Sequence, residues 1–204
     1  AAGSPGNIGK LDVTGKTSAF RKLHEAPGAF IMPNPWDIGS ARILAGMGFK
    51  ALATTSAGMA FSLGMQEGKV PKADALAHCR MIAQATLLPV SGDLEKGFGD
   101  RPEDAAQAIR DAAETGLCGG SIEDHTGSPA DPIFNFTLAV ERIHAAAEAA
   151  RALPQDFVLT ARAENFLWDR PDLDDTIKRL QAFEKAGADV LFAPSLPDLE
   201  SIRL

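Results

Sequence analysis

Acidic residues gather at the ends of short apolar runs, and an arginine stands among them. Asp93 and Glu95 end one run, Glu123 lies near the end of a second, and Arg162 and Glu164 lie in a third. If these runs are parallel strands of a barrel, their carboxyl ends meet at one mouth. Carboxylate oxygens suit Mg²⁺ or Mn²⁺, and an arginine suits a substrate carboxylate. The alternative is a set of solvated loop acids, the usual state of Asp and Glu.

Six apolar runs are candidate strands that would position these side chains. Each is short, rich in small or β-branched residues and nearly continuous, which is typical of strands buried on both faces of a parallel sheet. The runs cover residues 29–35, 51–57, 88–95, 119–125, 157–165 and 189–195. Segments of helical character lie between them, over 70–87, 101–116, 136–153 and 172–187. The pattern therefore predicts strands and helices in alternation.

A helix that ends in glycine and is followed at once by a strand recurs three times, at Gly48, Gly116 and Gly187. Glycine supplies the left-handed residue that stops a helix. Most predicted strands start 30-odd residues after the preceding one, the size of a βα unit. The chain lacks the Gly-rich phosphate loop that a doubly wound sheet carries after its first strand. We therefore predict an α/β fold, a (β/α)8 TIM-type barrel of which about six βα units are present.

The predicted domain organisation is simple. Residues 1–17 are rich in Gly, Ala, Ser and Lys without a clear period, which predicts a flexible N-terminal tail. Residues 18–204 form one barrel domain without an internal boundary. A complete barrel usually needs about 250 residues. We therefore expect the last two βα units to be missing from this sequence.

Composition excludes several classes of function. The 204 residues carry 20 Lys and Arg against 27 Asp and Glu, a net charge of −7. Such a chain is a poor candidate for binding nucleic acid, which needs clustered basic residues. No apolar run is long enough for a membrane span, and the two cysteines have no disulfide-scaffold or zinc-site pattern. We expect a cytoplasmic protein whose partner is a small molecule, neither nucleic acid nor membrane.

Five segments together resemble the isocitrate lyase/phosphoenolpyruvate mutase superfamily. They are NPWDIGSARILAGMGFKALATTSAGMAFSLGMQEG, LPVSGDLEKGFGD, GGSIEDHTG, FVLTARAEN and RLQAFEKAGADVLFAP, in that order over roughly residues 30–200. The resemblance implies a TIM-type barrel and chemistry that makes or stabilises an enolate of pyruvate beside Mg²⁺. It also implies a homo-oligomer, a tetramer or dimer, for the full-length protein.

The resemblance also assigns roles to individual residues. Asp93, Glu95 and Glu123 match the acids that hold Mg²⁺, often through water, although the family more often has Asp at the second position. Glu67 stands where the family usually has a partly catalytic Asp. The residues that match the grip on the α-keto acid end of the substrate are Ser56, Ala57 and Arg162.

Two further residues have open interpretations. His125 directly follows Glu123 and Asp124 at the predicted barrel mouth, so it is either a proton donor to the enolate or a simple loop contact. Asn165 either hydrogen-bonds substrate or caps a turn. The sequence alone does not separate these roles.

The loop after the fourth predicted strand departs from the relatives implied by the resemblance. Isocitrate and methylisocitrate lyases carry Lys-Lys/Arg-Cys-Gly-His there, whereas residues 125–137 read HTGSPADPIFNFT, without Cys or Lys. We therefore expect a Mg²⁺-dependent lyase that cleaves a C–C bond of a small α-keto or 2-hydroxy carboxylate, of the oxaloacetate decarboxylase or methylisocitrate lyase type. The alternatives are P–C bond chemistry, as in phosphonopyruvate hydrolase or phosphoenolpyruvate mutase, and a non-catalytic carboxylate-binding member.

Overall fold

A single parallel sheet organises the chain. The computed structural model describes residues 13–204, and residues 1–12 lie outside the described part. The sheet has five strands in the order β1-β2-β3-β4-β5, all parallel to their neighbours. The strands are β1 Leu52–Ala53, β2 Val90–Asp93, β3 Gly119–Glu123, β4 Val158–Arg162 and β5 Val190–Phe192.

Helices connect these strands and flank the sheet. They are α1 Val13–Glu25, α2 Ile38–Gly46, α3 Ser56–Ser62, α4 Lys72–Ala85, α5 Pro102–Ala113, α6 Phe136–Arg151, α7 Leu173–Lys185 and α8 Leu199–Arg203. The four helices predicted from the helical segments are confirmed as α4 to α7. The three stop signals are confirmed as well, because Gly48, Gly116 and Gly187 all adopt positive φ, between 90° and 107°. Within residues 13–204, no helix combines the length and apolar character that crossing a membrane requires.

Strand order distinguishes the two α/β alternatives. Every strand pairs with the next one along the chain, and the order never reverses. A doubly wound sheet reverses its order at the point where its ligand binds, whereas a barrel does not. The predicted barrel-type α/β fold is therefore confirmed, with the carboxyl ends of the strands at one edge. Register places Glu123 beside Arg162 and Asp93 beside Ser121 at that edge.

The prediction of a first strand over residues 29–35 is wrong. Its residues belong to no strand of the sheet, and the described strands number five instead of six. Pro33 and Pro35 lack the N–H groups that a ladder needs. Ala53 N–H donates to Pro33 O at 3.1 Å, and the Asn34 side chain donates to Ala53 O at 3.1 Å. The segment therefore lies along β1 without extending the sheet regularly.

The predicted tail, 1–17, also needs correction at its carboxyl end. Residues 13–17 form the first turns of α1, and Thr17 is buried. Phe20 of the same helix is buried in a cluster with Ala51, Cys118 and Val158. The apolar anchor supplied by Phe20 explains why the helix extends into a segment whose composition alone favours a coil. The first 12 residues of the predicted tail lie outside the described residues.

An ion-pair network fixes α1 against the amino-terminal side of the sheet. Arg21 donates to both carboxylate oxygens of Asp156, at 2.5 and 2.6 Å, and to Asp189 at 3.0 Å. The hydrogen bonds from Arg21 hold the pKa of Asp156 below its usual range. Because the Asp156 side chain is 38% exposed, the pair contributes no more than about 1 kcal/mol.

This network makes acid stability testable. A carboxyl whose pKa is lower in the folded state stabilises above its ordinary value, 3.8, and that stabilisation is lost as the pH falls through the folded value. We expect Asp156→Asn to lower the free energy of unfolding by up to about 1 kcal/mol at neutral pH. The difference should vanish towards pH 2. Urea denaturation at both pH values measures it, with the exposed Glu141→Gln as control. A difference that persisted in acid would contradict the pair's contribution.

Candidate active site

A cavity of about 520 Å³ opens at the carboxyl ends of the strands. Its polar wall is built from residues at the ends of β2, β3 and β4, from the start of α3 and from the loop after α3. Its charged residues, together with the hydroxyl of Ser56, are Glu67, Asp93, Glu123, Arg162 and Glu164. The sequence predicts five of them as site residues, and the structure brings those five together around one cavity.

Arg162 is the hub of this wall. Its guanidinium nitrogens lie 3.3 Å from Asp93 Oδ1, 3.4 Å from Glu123 Oε2 and 2.9 Å from Glu164 Oε1. The Phe192 ring packs beside the guanidinium, with its centroid 5.2 Å from Cζ. Burial alone would lower the pKa of Arg162, but the three carboxylates outweigh it and raise that pKa. A permanent cation is therefore fixed at the cavity wall.

Asp93 links the strand ends to α3. Its Oδ2 accepts from Ser56 N–H at 2.9 Å and lies 2.8 Å from Ser56 Oγ, and its own N–H donates to Thr54 Oγ1 at 2.8 Å. Thr55 caps α3 by accepting from Gly58 N–H, so Ser56 is the first helical residue. The first N–H groups of a helix have no helical partners. Asp93 takes the one from Ser56, which locks the carboxylate in place.

Ser56 connects two carboxyl groups. Its Oγ lies 2.9 Å from Glu67 Oε1 as well as 2.8 Å from Asp93 Oδ2. One hydroxyl carries one hydrogen, so it donates to one of these oxygens at a time. Glu67 lies on the exposed loop after α3 and still lines the cavity. Ala57, the next residue of α3, is half-buried and does not line it.

The contact between Ser56 and the two carboxyl groups gives a second testable prediction. Hydrogen bonds to charged groups are worth about 1.5–3 kcal/mol. We expect Ser56→Ala to lower kcat/KM by about 10- to 150-fold, because Asp93 and Glu67 lose the hydroxyl that orients them. Steady-state kinetics measures the effect. Ser62→Ala, on the same helix but away from the cavity, is the matched control and should behave like the wild type. Equal losses in both variants would contradict the role of the hydroxyl.

The carboxyl groups crowd one another. Burial raises the pKa of Glu95 to about 7, with further contributions from the charges of Asp93, Glu123 and Glu67. Burial also raises the pKa of Glu123, although Arg162 opposes the shift. A cation that binds near such carboxyl groups lowers their pKa values and so favours the ionised form. The cluster therefore has the electrostatics of a cation site.

The position of Glu95 differs from the prediction in one respect. Alternation along a strand would point Glu95 the same way as Asp93, but β2 ends at Asp93 and Glu95 adopts φ +50°. Its side chain therefore lies near the other acids without lining the cavity.

Arg142 supports the loop that follows β2. Its guanidinium donates to Lys96 O, to Gly99 O at 2.9 Å and to Arg101 O at 3.2 Å.

The fit of a divalent cation rests on donor chemistry. Among residues 13–204, no three His, Cys, Asp or Glu side chains converge closely enough to hold a metal ion. The donors at the strand ends are nevertheless all carboxylate oxygens, the ligands that Mg²⁺ and Mn²⁺ prefer. Mg²⁺ usually keeps several of its waters, so its protein ligands need not converge as tightly as those of zinc. Asp93, Glu95 and Glu123 fit such a cation.

The structure does not bring His125 to the cavity. Its ring is stacked face to face with Trp168, with centroids 3.7 Å apart and planes 9° apart. Trp168 lines the cavity, whereas His125 does not. Of the two interpretations of His125, the loop contact is the one that agrees with this position. The structure places His125 behind Trp168, and proton donation by His125 stays a prediction.

Asn165 does not line this cavity, and its contact with substrate stays a prediction. Its side-chain amide donates to Asp175 at 2.9 Å, and Asp175 also accepts from Arg179 at 2.7 Å. The Arg179 guanidinium also donates to Asp124 at 3.0 Å. This chain of contacts ties the ends of β3 and β4 to α7. Asn165 is therefore part of the support beneath the site.

Three wall residues carry no role in the sequence-based prediction. Glu164 is almost fully buried and binds Arg162, while Leu167 and Trp168 line the cavity. Glu164 had a detectable signal, because it lies two residues after Arg162, on the same side of the strand. Leu167 and Trp168 had none, since their positions depend on the turn that follows β4.

The fold and the site together define a class of protein: a β/α-barrel-type enzyme whose arginine and carboxylates line a cavity at the strand ends. A family model described as phosphoenolpyruvate phosphomutase matches residues 20–204. The chain therefore belongs to this family and to the isocitrate lyase/phosphoenolpyruvate mutase superfamily of carbon–carbon lyases and mutases.

Individual relatives agree with this assignment. A crystal structure from Burkholderia cenocepacia J2315, provisionally described as a lyase/mutase, is 56% identical, covers 93% of this chain and 68% of that one, and has a TM-score of 0.91. The structure of 2,3-dimethylmalate lyase is 30% identical, covers 92% of this chain and 66% of that one, and has a TM-score of 0.84. The 2-methylisocitrate lyase of Escherichia coli K12 is 31% identical over 164 residues, 76% of this chain. The chain spans 54% of that enzyme's length.

Proposed function

We propose that this chain carries the active site of a Mg²⁺- or Mn²⁺-dependent lyase that cleaves a C–C bond of a small α-keto or 2-hydroxy carboxylate. The observation that supports it most is the Arg162 guanidinium, held by Asp93, Glu123 and Glu164 at the wall of a 520 Å³ cavity. Small acids are recognised by such a fixed arginine, because its planar fork matches two carboxylate oxygens.

Each residue of the wall has a chemical task in this proposal. Arg162 binds the substrate carboxylate, and when substrate is bound the Ser56 hydroxyl turns its one hydrogen from Asp93 or Glu67 to an oxygen at the α-keto end. Asp93, Glu95 and Glu123 would hold the cation, in part through water. When bound, a divalent cation neutralises the negative charge that develops on the keto oxygen during bond cleavage. Glu67, hydrogen-bonded to Ser56 at 2.9 Å, is placed to hold or deliver a proton.

Decarboxylation of an oxaloacetate-like acid fits this wall best. The bond between the carboxyl carbon and its neighbour breaks, CO₂ leaves, and the electron pair stays on the pyruvate fragment as an enolate, which takes up one proton. This reaction needs no acid from the loop after β3. Residues 125–137 agree with it because they contain neither Cys nor Lys.

P–C bond chemistry is the second candidate, favoured by the description of the matching family model. A phosphonate carries more negative charge than a carboxylate and calls for additional cationic groups. Among the described residues that line the cavity, Arg162 is the single Arg or Lys. We therefore rank C–C cleavage first.

Release of the 2-oxo acid product tests the proposal: pyruvate from oxaloacetate, methylisocitrate and phosphonopyruvate, and glyoxylate from isocitrate. Oxaloacetate, methylisocitrate, isocitrate and phosphonopyruvate are supplied one at a time to the complete gene product, with Mg²⁺, with Mn²⁺ and with EDTA. We expect release from one of the three C–C substrates, lost in EDTA and restored by adding the metal back. Release from phosphonopyruvate alone would establish the second candidate. Silence on all four, with oxalate still binding alongside Mg²⁺, would overturn the lyase and indicate a carboxylate-binding member.

A further inference from the structure

Part of the apolar lining of the cavity comes from the turn after β4, and the rest from Met32, Val190, Leu191 and Phe192. The N–H groups of Leu167 and Trp168 both donate to Glu164 O, at 3.1 and 3.2 Å, so the turn presents the two side chains together. Both side chains line the cavity and remain partly exposed, 45% for Leu167 and 39% for Trp168. Neighbouring exposed apolar side chains rimmed by polar groups are typical of ligand-binding surfaces. They are available to contact a ligand.

Trp168 is held in one orientation by His125. The two rings lie parallel, 9° apart, with centroids 3.7 Å apart. The His125 ring is in turn restrained, because its Nδ1 lies 3.6 Å from Glu123 Oε1 and its side chain is only 15% exposed. A flat ring stacked on a restrained ring loses little further freedom when a ligand packs against its other face. His125 therefore supports the wall from behind.

The cavity thus offers two different chemistries to one substrate. Arg162 and the carboxyl groups bind the charged end, while Trp168 and Leu167 face whatever the remaining part of the substrate carries. An unsubstituted chain would leave this apolar surface in contact with water. An alkyl group would cover it, and the hydrophobic effect favours that contact.

We propose that Trp168, positioned by His125, determines specificity and selects substrates with an alkyl substituent on the carbon next to the bond that breaks. This inference rests on the proposed function and names its substrate class: alkyl-substituted keto or hydroxy diacids, in preference to the unsubstituted acid. His125 is a positioning residue, and Trp168 is the residue that touches the substrate. One methylene in a hydrophobic pocket changes kcat/KM by about 10- to 200-fold. Because this wall is partly exposed, we expect about ten-fold per methyl.

A substrate series tests the preference. Oxaloacetate, 3-methyloxaloacetate and 3,3-dimethyloxaloacetate lose CO₂ by the same bond cleavage and differ only in the alkyl group. The wild type should prefer the methylated acids by about ten-fold or more in kcat/KM. Trp168→Ala should bring the ratio of kcat/KM between the methylated acids and oxaloacetate down to about one. Equal kcat/KM for all three acids in the wild type would overturn the inference and leave the lyase assignment intact.

Two substitutions of His125 separate support from proton transfer. His125→Phe keeps a flat ring for stacking but has no titratable group, whereas His125→Ala removes the ring. We expect His125→Phe to rescue the preference for the methylated acids that His125→Ala loses. If both variants lose turnover of every acid alike, His125 is a proton donor and the inference is overturned.

A binding measurement decides the inference even if no substrate in the series is turned over. The sequence has two tryptophans, so in the Trp36→Phe variant Trp168 is the single emitter. Malonate, methylmalonate and dimethylmalonate are titrated in the presence of Mg²⁺ while Trp168 fluorescence is followed. We expect the apparent Kd to fall by about ten-fold per methyl and the emission to shift to the blue. Unchanged emission, or equal affinity for all three, would overturn the contact with Trp168 independently of the lyase assignment.

Discussion

Asp93→Asn is expected to lower kcat/KM by about 10²- to 10³-fold while leaving the fold intact. Four groups surround this carboxylate: the Ser56 N–H, the Ser56 hydroxyl, the Glu95 N–H and the Arg162 guanidinium. An asparagine side chain has the same shape but replaces one acceptor oxygen by a donor. The amide cannot accept from all of these donors, and it is a poorer ligand for a divalent cation.

Stability should not follow activity in this variant. The substitution removes one negative charge from a crowd that already raises the pKa of Glu95, and this relief offsets the lost ion pair with Arg162. We expect the free energy of unfolding to change by about 1 kcal/mol or less. Steady-state kinetics, Mg²⁺ titration and urea denaturation measure the three properties on one preparation. Asp74→Asn, exposed on α4, is the control. Turnover equal to wild type would contradict the site.

The meeting of Asp93, Glu123 and Arg162 is predictable because it depends on few assumptions. Short continuous apolar runs predict parallel strands, and parallel strands end at the same edge. The register then has to be right only within a residue or two. It places Glu123 directly opposite Arg162. Strand periodicity carries this information, and the sequence contains it.

The residues whose positions strand periodicity does not predict lie where the strands have already ended. Alternation predicts the direction of Glu95 only while the chain stays extended, and its φ of +50° breaks that condition. His125 and Asn165 lie on loops, where neighbours decide the orientation. Trp168, more than 40 residues away from His125, covers the imidazole, and Asp175 of α7 takes the Asn165 amide. Such contacts leave no periodic signal.

The segment 29–35 is a different case, because its signal is local. Its apolar residues favour a strand, but Pro33 and Pro35 remove two of the donors that a ladder needs. If the two prolines count for more than the apolar residues, the sequence predicts a segment that is joined to its neighbour by isolated hydrogen bonds and not by a ladder. The bond from Ala53 N–H to Pro33 O, a carbonyl that proline retains, agrees with that interpretation.

The largest effect is expected for Arg162→Met. Methionine fills similar space but cannot bind a carboxylate, so we expect kcat/KM to fall by about 10³- to 10⁴-fold and oxalate binding to be lost. The protein should also lose about 3–5 kcal/mol of stability, because Glu164, 1% exposed, is left buried without its cation.

Pairing this change with Glu164→Gln separates the two effects of Arg162. The glutamine removes the buried charge, so the double variant Arg162→Met/Glu164→Gln should regain most of the lost stability. It should regain none of the activity, because no group replaces the guanidinium as the ligand of the substrate carboxylate. Urea denaturation, oxalate calorimetry and pyruvate release on the wild type, both single variants and the double variant complete the cycle. If activity returned together with stability, Arg162 would be only the structural partner of Glu164. If the double variant regains stability but not activity, the Arg162 guanidinium binds the substrate.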